Sequence, residues 1–256
     1  MRNIAVTACV ALVLGVCCAV AEDAAKEAAS PPVYVSAPIY SVYNWRGEVI
    51  DDRPVFQPYV SVTHKGVTFS TWGNFPLTDV NATNRGFSEI DLTLSYALPV
   101  APMEVSVGVI NYLPVDVDTF RLHEVFLTAK YPNGIVTPRL EVYRSFSDYV
   151  GCYIMAAISR DVEITEQLKV SCEFVTGYGN AAWNTYSFGV DEAGLNDGAV
   201  SLTLKYAVSD ALVISPSVKY VWLWESKMKA GSLATYNAAY PDPNMFIGGL
   251  MVEYSF

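Results

Sequence analysis

Polar and apolar side chains alternate along most of the chain from residue 33 onward. The alternation is clearest in residues 88–96 and 199–206, where one set of alternate positions is apolar and the other carries charged and hydroxyl side chains. Because successive side chains of a β-strand point to opposite faces, this pattern predicts strands with one apolar and one polar face. A membrane barrel with lipid outside and a wet lumen requires that arrangement.

Short and long connections follow each other in turn along the chain. Tight turns are predicted at residues 65–66, 98–103, 131–134, 165–167 and 209–210. Longer loops lie between them, at residues 47–53, 78–87, 113–119, 145–149, 180–197 and 226–243. Outer-membrane barrels have short periplasmic turns, longer outer loops and an even number of strands. We therefore expect an all-β chain that forms a transmembrane, antiparallel, up-and-down β-barrel of about 12 strands.

The C-terminal segment is predicted to be the closing strand. In residues 244–256 the apolar face ends in Val252, Tyr254 and Phe256. This ending is similar to the C-terminal signal of bacterial outer-membrane proteins, which implies that the barrel-assembly machinery recognises it. We expect the strand to pair with a first strand over residues 34–45. An edge strand of a secreted β-sandwich is the alternative interpretation.

Prolines and aromatic residues test this assignment. Pro58, Pro138 and Pro216 fall inside predicted strands, and each removes a hydrogen-bond donor, so each should lie near a strand end or at a bulge. A break at Pro216 would change the strand count by two. Aromatic residues near predicted strand ends fit interfacial girdles. These residues are Tyr40, Tyr43, Trp45, Trp72, Phe75, Tyr220, Trp222 and Trp224.

The N-terminal segment predicts Sec-type export. Residues 1–21 contain one basic residue, an apolar run and a small-x-small ending before Glu22, so we expect a signal peptide cleaved after Ala21. Val16, rather than a small residue, precedes Cys17, which makes lipidation the minor alternative. Residues 22–32 are expected to be a flexible periplasmic lead, and residues 33–256 the barrel.

The composition of the chain excludes some classes of binding partner. The formal net charge is −10, which argues against nucleic acid and anionic lipid surfaces. Cys152 and Cys172 lie on neighbouring predicted strands, but not opposite each other. Two free, lipid-facing thiols are therefore expected rather than a disulfide. No motif predicts a metal or a cofactor.

The polar face supplies the residues expected to line the lumen. Apart from Tyr143 they are charged: Arg46, Glu89, Asp91, Glu104, Glu124, Lys130, Arg139, Glu141, Lys169, Glu173, Lys205, Lys219 and Glu253. Acids and bases nearly balance, which favours salt-bridge ladders over a ligand site at any single residue. The loops are more acidic, and acidic mouths concentrate cations.

Strand number predicts the width of the bore. Barrels of about eight strands fill with side chains, whereas those of about sixteen hold open channels. A barrel of intermediate size should have a narrow lumen. The expected function is an outer-membrane, porin-like channel for passive diffusion of ions or small solutes, with a weak cation preference. Its partners would be outer-membrane lipid, the barrel-assembly machinery and those solutes.

Four short motifs lie at residues 43–47 (YNWRG), 54–58 (PVFQP), 72–75 (WGNF) and 87–95 (FSEIDLTLS). Together they resemble motifs of the TorF-type porins, bacterial outer-membrane barrels of unassigned substrate. The resemblance is densest from residue 40 to residue 112. It implies an inner polar cluster near the outer mouth, formed by Arg46, Gln57, Glu89 and Asp91.

A physical argument supports that cluster. Gly47 permits a tight exit from the first strand, and acids on the fourth strand can neutralise the guanidinium of Arg46. The loops at residues 180–197 and 226–243 are longer than the family pattern. They could fold inward and constrict the pore.

An enzyme is not expected. Some twelve-stranded outer-membrane barrels resemble phospholipases with a His–Ser pair, but His64 lies beside a predicted turn and His123 on the outward stripe. A structural barrel or adhesin with a plugged lumen is the stronger alternative. An adhesin should expose aromatic residues in its loops. Trp183, Tyr186 and Phe188 lie in one loop, and Tyr236 and Tyr240 in another.

Overall fold

The computed structural model describes six stretches of the chain. They are residues 33–79, 86–115, 122–132, 134–147, 150–235 and 244–256. The predicted signal peptide (residues 1–21) and lead (residues 22–32) lie outside them.

Twelve antiparallel strands close into a barrel, as the alternation predicted. The first two barrel strands are each interrupted once. The first consists of β1 (Val33–Ser36) and β2 (Ile39–Tyr40), and the second of β5 (Val55–Phe56) and β6 (Tyr59–His64). The others are β7 (Val67–Pro76), β8 (Glu89–Leu98), β9 (Glu104–Pro114), β10 (Leu122–Lys130), β11 (Thr137–Ser145), β12 (Cys152–Glu163), β13 (Leu168–Gly179), β14 (Gly194–Ala207), β15 (Leu212–Leu223) and β16 (Met245–Ser255).

The last strand closes the barrel against the first. β16 pairs with β1 through Tyr34 and Ser255, and with β2 through Ile39 and Leu250. The predicted partner of the C-terminal strand is therefore confirmed. The predicted extent of the first strand is wrong, because it leaves the wall after Tyr40. The next residues form a separate two-stranded sheet of β3 (Tyr43–Trp45) and β4 (Glu48–Asp51).

The outer surface of the barrel is apolar. Leu94, Val109 and Val125 are direct neighbours across β8, β9 and β10, and each is exposed. A continuous apolar surface of this kind suits contact with lipid. Cys172 is exposed, and both Cys152 and Cys172 are free thiols.

Two helices occupy connections that were expected to be irregular loops. They are α1 (Ala181–Phe188) and α2 (Ser226–Thr235). Asn180 caps α1 by accepting a hydrogen bond from the Trp183 N–H at 2.9 Å, and Gly189 ends it with φ +67°. Trp183 and Phe188 are fully buried, so neither is the exposed loop aromatic that an adhesin would require. Tyr236 and Tyr240 lie outside the described residues. No described helix is long and apolar enough to cross a membrane.

The prolines behave in two ways. Pro58 falls in the break between β5 and β6, and Pro138 is the second residue of β11, near strand ends as expected. Pro216 lies inside β15, so the expectation of a strand end or bulge is wrong there. Pairing with β14 lapses beside it and resumes in the same register, while Pro216 stays paired with Leu250 of β16. The intact pairing with β16 therefore keeps β15 continuous, although Pro216 lacks a backbone N–H.

Candidate functional site in the barrel lumen

A short hairpin leaves the wall and crosses the lumen. We call β3, β4 and the turn between them, residues 43–51, the inserted hairpin. Its turn residues Arg46 and Gly47 have φ +50° and +86°, the conformation of a two-residue hairpin turn. A Cβ on Gly47 would lie 2.7 Å from Leu223 and 2.8 Å from Asp197, so only glycine fits at this tip. Residues 47–53 were predicted to form an outer loop, which is wrong, because residues 48–51 form β4 inside the lumen.

The guanidinium of Arg46 anchors the hairpin. It donates hydrogen bonds of 3.0 and 2.8 Å to the two carboxylate oxygens of Glu124 on β10. The hydroxyl of Tyr112 donates to the same carboxylate at 2.9 Å, and Glu124 is fully buried. Four aromatic rings surround the guanidinium at 4.0–4.8 Å, those of Trp45, Tyr143, Tyr153 and Trp183. A bidentate pair inside an aromatic cage satisfies a buried charge and fixes its position.

Two other side chains of the hairpin, Tyr43 and Trp45, also contact the barrel wall. Tyr43 donates to Glu89 on β8 at 2.9 Å and packs against the ring of Trp72 at 5.5 Å. Trp45 packs against Tyr112 at 5.6 Å. We call the side of the hairpin that meets β7–β12 the packed face. Tyr43 and Trp45 lie in the interior because the chain turns inward after Tyr40, and Trp72 of β7 points inward to meet Tyr43. The predicted place of these three residues in an interfacial girdle is therefore wrong.

The opposite side of the hairpin borders a cavity of about 250 Å³. Asn44 lines this cavity, and Tyr43 borders it as well. We call this side the cavity face. Strands β14, β15 and β16 form the facing wall. The polar residues that line the cavity are Asn44, Gln57, Ser201, Thr203, Ser217 and Lys219.

The inner polar cluster implied by the family resemblance forms differently than expected. The guanidinium of Arg46 is neutralised by Glu124, not by the acids of the fourth strand. Gln57 instead donates to Asn74 at 2.9 Å. Oδ1 of Asp91 is buried and accepts no hydrogen bond from the described residues. Because Glu124 lies 78 residues from Arg46, no local motif could identify it as the partner.

The other predicted lumen residues lie closer to the short turns. Arg139 joins Glu141 at 2.9 Å and Glu173 at 3.1 Å, and Tyr143 donates to Glu141. Three further ion pairs lie nearer the turns: Lys130–Glu104 at 2.9 Å, Lys169–Glu163 at 2.9 Å and Lys205–Asp161 at 3.2 Å. Glu253 accepts from Tyr34 and from Ser215. Lys219 differs, because it makes no ion pair or hydrogen bond with any described residue and faces the cavity.

Several neutral residues also belong to the site, although the sequence pattern did not single them out. Tyr112 and Tyr153 surround Arg46, and Ser201 and Ser217 border the cavity. All lie on the inward set of alternate positions. The alternation therefore identified these positions as inward-facing, but the prediction of lumen residues considered mainly charged side chains.

Comparison with known proteins identifies the architecture. No protein-family model and no curated protein sequence matches the chain. Among solved structures, the KdgM porin is similar with a TM-score of 0.54 and 10% identity, covering 87% of this chain and 99% of that one. An outer-membrane channel from Pseudomonas putida F1 is similar with a TM-score of 0.52 and 12% identity, covering 91% and 99%. At these identities the likeness is one of fold, and this chain therefore has the barrel fold of bacterial outer-membrane channels.

Proposed function

We propose that this protein is an outer-membrane channel for passive diffusion of ions and small solutes, narrowed by the inserted hairpin. The observation that carries the proposal is the asymmetry of the hairpin. Its packed face is fixed to the wall, whereas its cavity face leaves space lined by hydroxyl, amide and ammonium groups. A hydrated passage beside β14–β16 is what a constricted channel requires.

A weak cation preference is part of the proposal. Glu89 and Asp91 are adjacent inward positions on β8, and neither forms an ion pair with a described residue. The pairs nearer the short turns are neutral overall. An excess of acid in a narrow lumen attracts cations and repels anions, less so at high salt. Reversal potentials measured across a KCl gradient should show this preference, and an anion preference would contradict it.

Removing the hairpin tests the constriction. Tyr40 and Val55 are paired, so residues 42–53 can be replaced by a short Gly/Ser turn without opening the wall. The replacement should raise single-channel conductance severalfold, because the lumen loses its obstruction. As a control, the same replacement of residues 165–167, at the opposite end of the barrel, should leave conductance unchanged. Equal conductance in both variants would contradict the proposal.

A structural barrel or adhesin with a plugged lumen is the second candidate. The observation that favours it is that the hairpin tip meets Leu223 and Asp197 while its Arg46 reaches Glu124 on β10, on the other side of the lumen. If the tip seals the outer mouth, the intact protein will not conduct, although the hairpin-free variant will. Planar-bilayer recordings of the two proteins side by side therefore separate the candidates.

Location and assembly belong to the same proposal. Membership of the TorF-type porins, Sec-type export and recognition by the barrel-assembly machinery are consistent with the barrel fold. The N–H of Phe256 donates to Val33 at 3.0 Å, so the last residue joins the closing seam. Val252 and Tyr254 are exposed on the same outer face. Deleting Phe256 should lower the amount of barrel assembled in the outer membrane without affecting export, and unchanged assembly would contradict this role.

A further inference from the structure

We infer that the cavity beside the inserted hairpin binds a small solute that carries a carboxylate and hydroxyl groups. The inference deepens the proposed channel function and rests on it, since the solute must be able to enter the lumen. It follows from one unpaired ammonium, a set of hydroxyls on the same face and the size of the space.

Lys219 is the charged anchor of this site. It lies on β15 and lines the cavity, and no described carboxylate forms an ion pair with it. Asp197 and Glu173 face it from β14 and β13, but Asp197 accepts from Tyr153 and Glu173 pairs with Arg139. Both acids attract the ammonium electrostatically, but neither accepts a hydrogen bond from it. A partly buried ammonium without a hydrogen-bond partner is unfavourable, and a ligand carboxylate would supply a charge-assisted hydrogen bond.

Hydroxyl groups continue from this anchor along the wall. Ser201 is directly opposite Lys219 across the β14–β15 pair, and Thr203 is opposite Ser217. Directly opposed residues have Cβ atoms about 4.5–5.5 Å apart, so the four side chains form one contiguous polar patch. A ligand with its carboxylate at Lys219 can therefore place hydroxyl groups against the others.

The hairpin supplies the other wall of the site. Asn44 lines the cavity, and its Nδ2 is buried without a hydrogen-bond partner among the described residues. An unsatisfied buried donor is unfavourable, and a small side-chain rotation toward a ligand oxygen would satisfy it. Both walls thus offer donors, and a solute rich in acceptor oxygens complements them.

The size and lining of the cavity favour such a solute. A volume of about 250 Å³ accommodates a small molecule. A neutral polyol would leave the Lys219 ammonium unpaired, and a bare inorganic anion would not reach Thr203. Val42 and Ile247 also line the space and can contact a carbon chain.

The acidic lumen and this basic site are compatible. The acids lower the concentration of all anions by a long-range effect that salt weakens. Lys219 acts at contact distance and retains only anions that also form hydrogen bonds to the hydroxyls.

Gluconate, with neutral sorbitol as its matched control, tests the site in the purified full-length barrel. Saturation-transfer NMR should show saturable gluconate binding that sorbitol does not compete away. Lys219→Gln should weaken binding tenfold or more, because it removes the charge, and Lys219→Arg should restore most of it. Lys205→Gln should bind like the natural protein, since Lys205 is already paired with Asp161.

The outcomes distinguish this site from the channel itself. A barrel that conducts but does not bind gluconate overturns the site alone, as does equal binding by Lys219→Gln and the natural protein. A barrel that binds gluconate saturably but never conducts supports the site and overturns the channel. If sorbitol abolishes gluconate binding, the proposed carboxylate site is also overturned, because the carboxylate would then contribute nothing to binding.

Discussion

The two faces of the inserted hairpin are built in opposite ways. On the packed face, the Arg46 guanidinium is held by a bidentate carboxylate and four aromatic rings. On the cavity face, Lys219 and Asn44 Nδ2 have no partner among the described residues. Satisfied polar groups make a surface rigid, whereas unsatisfied ones are left available for solvent or ligand. The difference indicates that one face fixes the hairpin and the other serves the passage.

Breaking the anchor should have the largest effect. Glu124→Ala leaves the Arg46 guanidinium buried and uncompensated, which should lower the free energy of unfolding by about 3–5 kcal/mol. Urea unfolding of the refolded barrel measures this loss. Glu104→Ala is the matched control, because its ion pair with Lys130 is exposed and should contribute only about 0–1 kcal/mol. Equal losses would show that the packed face is not held by this pair.

Strain at the tip should have a smaller effect. Gly47→Ala places a side chain where φ is +86° and Leu223 and Asp197 are in the way, so the tip must shift. Gly66→Ala is the control, with φ +78° in a short turn at the other end of the barrel. Each should lose about 1–2 kcal/mol from its left-handed backbone. Only Gly47→Ala should raise single-channel conductance, and an equal change in both would contradict a constriction at the tip.

Substitutions far from both faces of the inserted hairpin should have the smallest effect on stability. Lys227 on α2 binds Glu192 at 2.7 Å and Glu225 at 3.1 Å, and it lowers the pKa of the exposed Glu192 carboxyl. A lowered folded-state pKa stabilises the fold above the ordinary glutamate pKa, and the gain is lost as pH falls through the lowered value.

Lys227→Ala should therefore differ slightly from the natural protein at neutral pH and not at all in acid. Urea unfolding at both pH values measures this. Lys229→Ala, on the same helix, should show no difference at either pH. Conductance should be unaffected in both variants, and a large conductance change with Lys227→Ala would mean that α2 also gates the passage.

The barrel was predictable because its signal is local and repeated. Each strand carries its own alternation, and tight turns such as Lys65-Gly66 mark the ends. The closing contact between the first and last strands followed from those signals alone. Pro216, whose effect on the number of strands the sequence left open, does not divide β15, because β15 remains paired with β16 at that position.

The inserted hairpin was not predictable, because its position depends on distant contacts. Arg46-Gly47 forms the same kind of turn as Lys65-Gly66, with positive φ at both residues. Nothing local distinguishes a hairpin that extends outward from one that folds inward. The deciding partners, Glu124 and Tyr153, lie on other strands. Likewise, the caps of α1 were present in the sequence, but its apolar pattern was too weak to predict a helix.

Thiol accessibility tests the central claim, that the hairpin closes one side of the lumen and leaves a passage on the other. In a background with Cys152→Ser and Cys172→Ser, Ser217→Cys places a thiol in the cavity, and Ser145→Cys places one in the fully buried wall of β11. A membrane-impermeant cationic methanethiosulfonate added during planar-bilayer recording should reduce the current of Ser217→Cys and leave that of Ser145→Cys unchanged. Equal modification of the two, or modification of Ser145→Cys alone, would contradict the account.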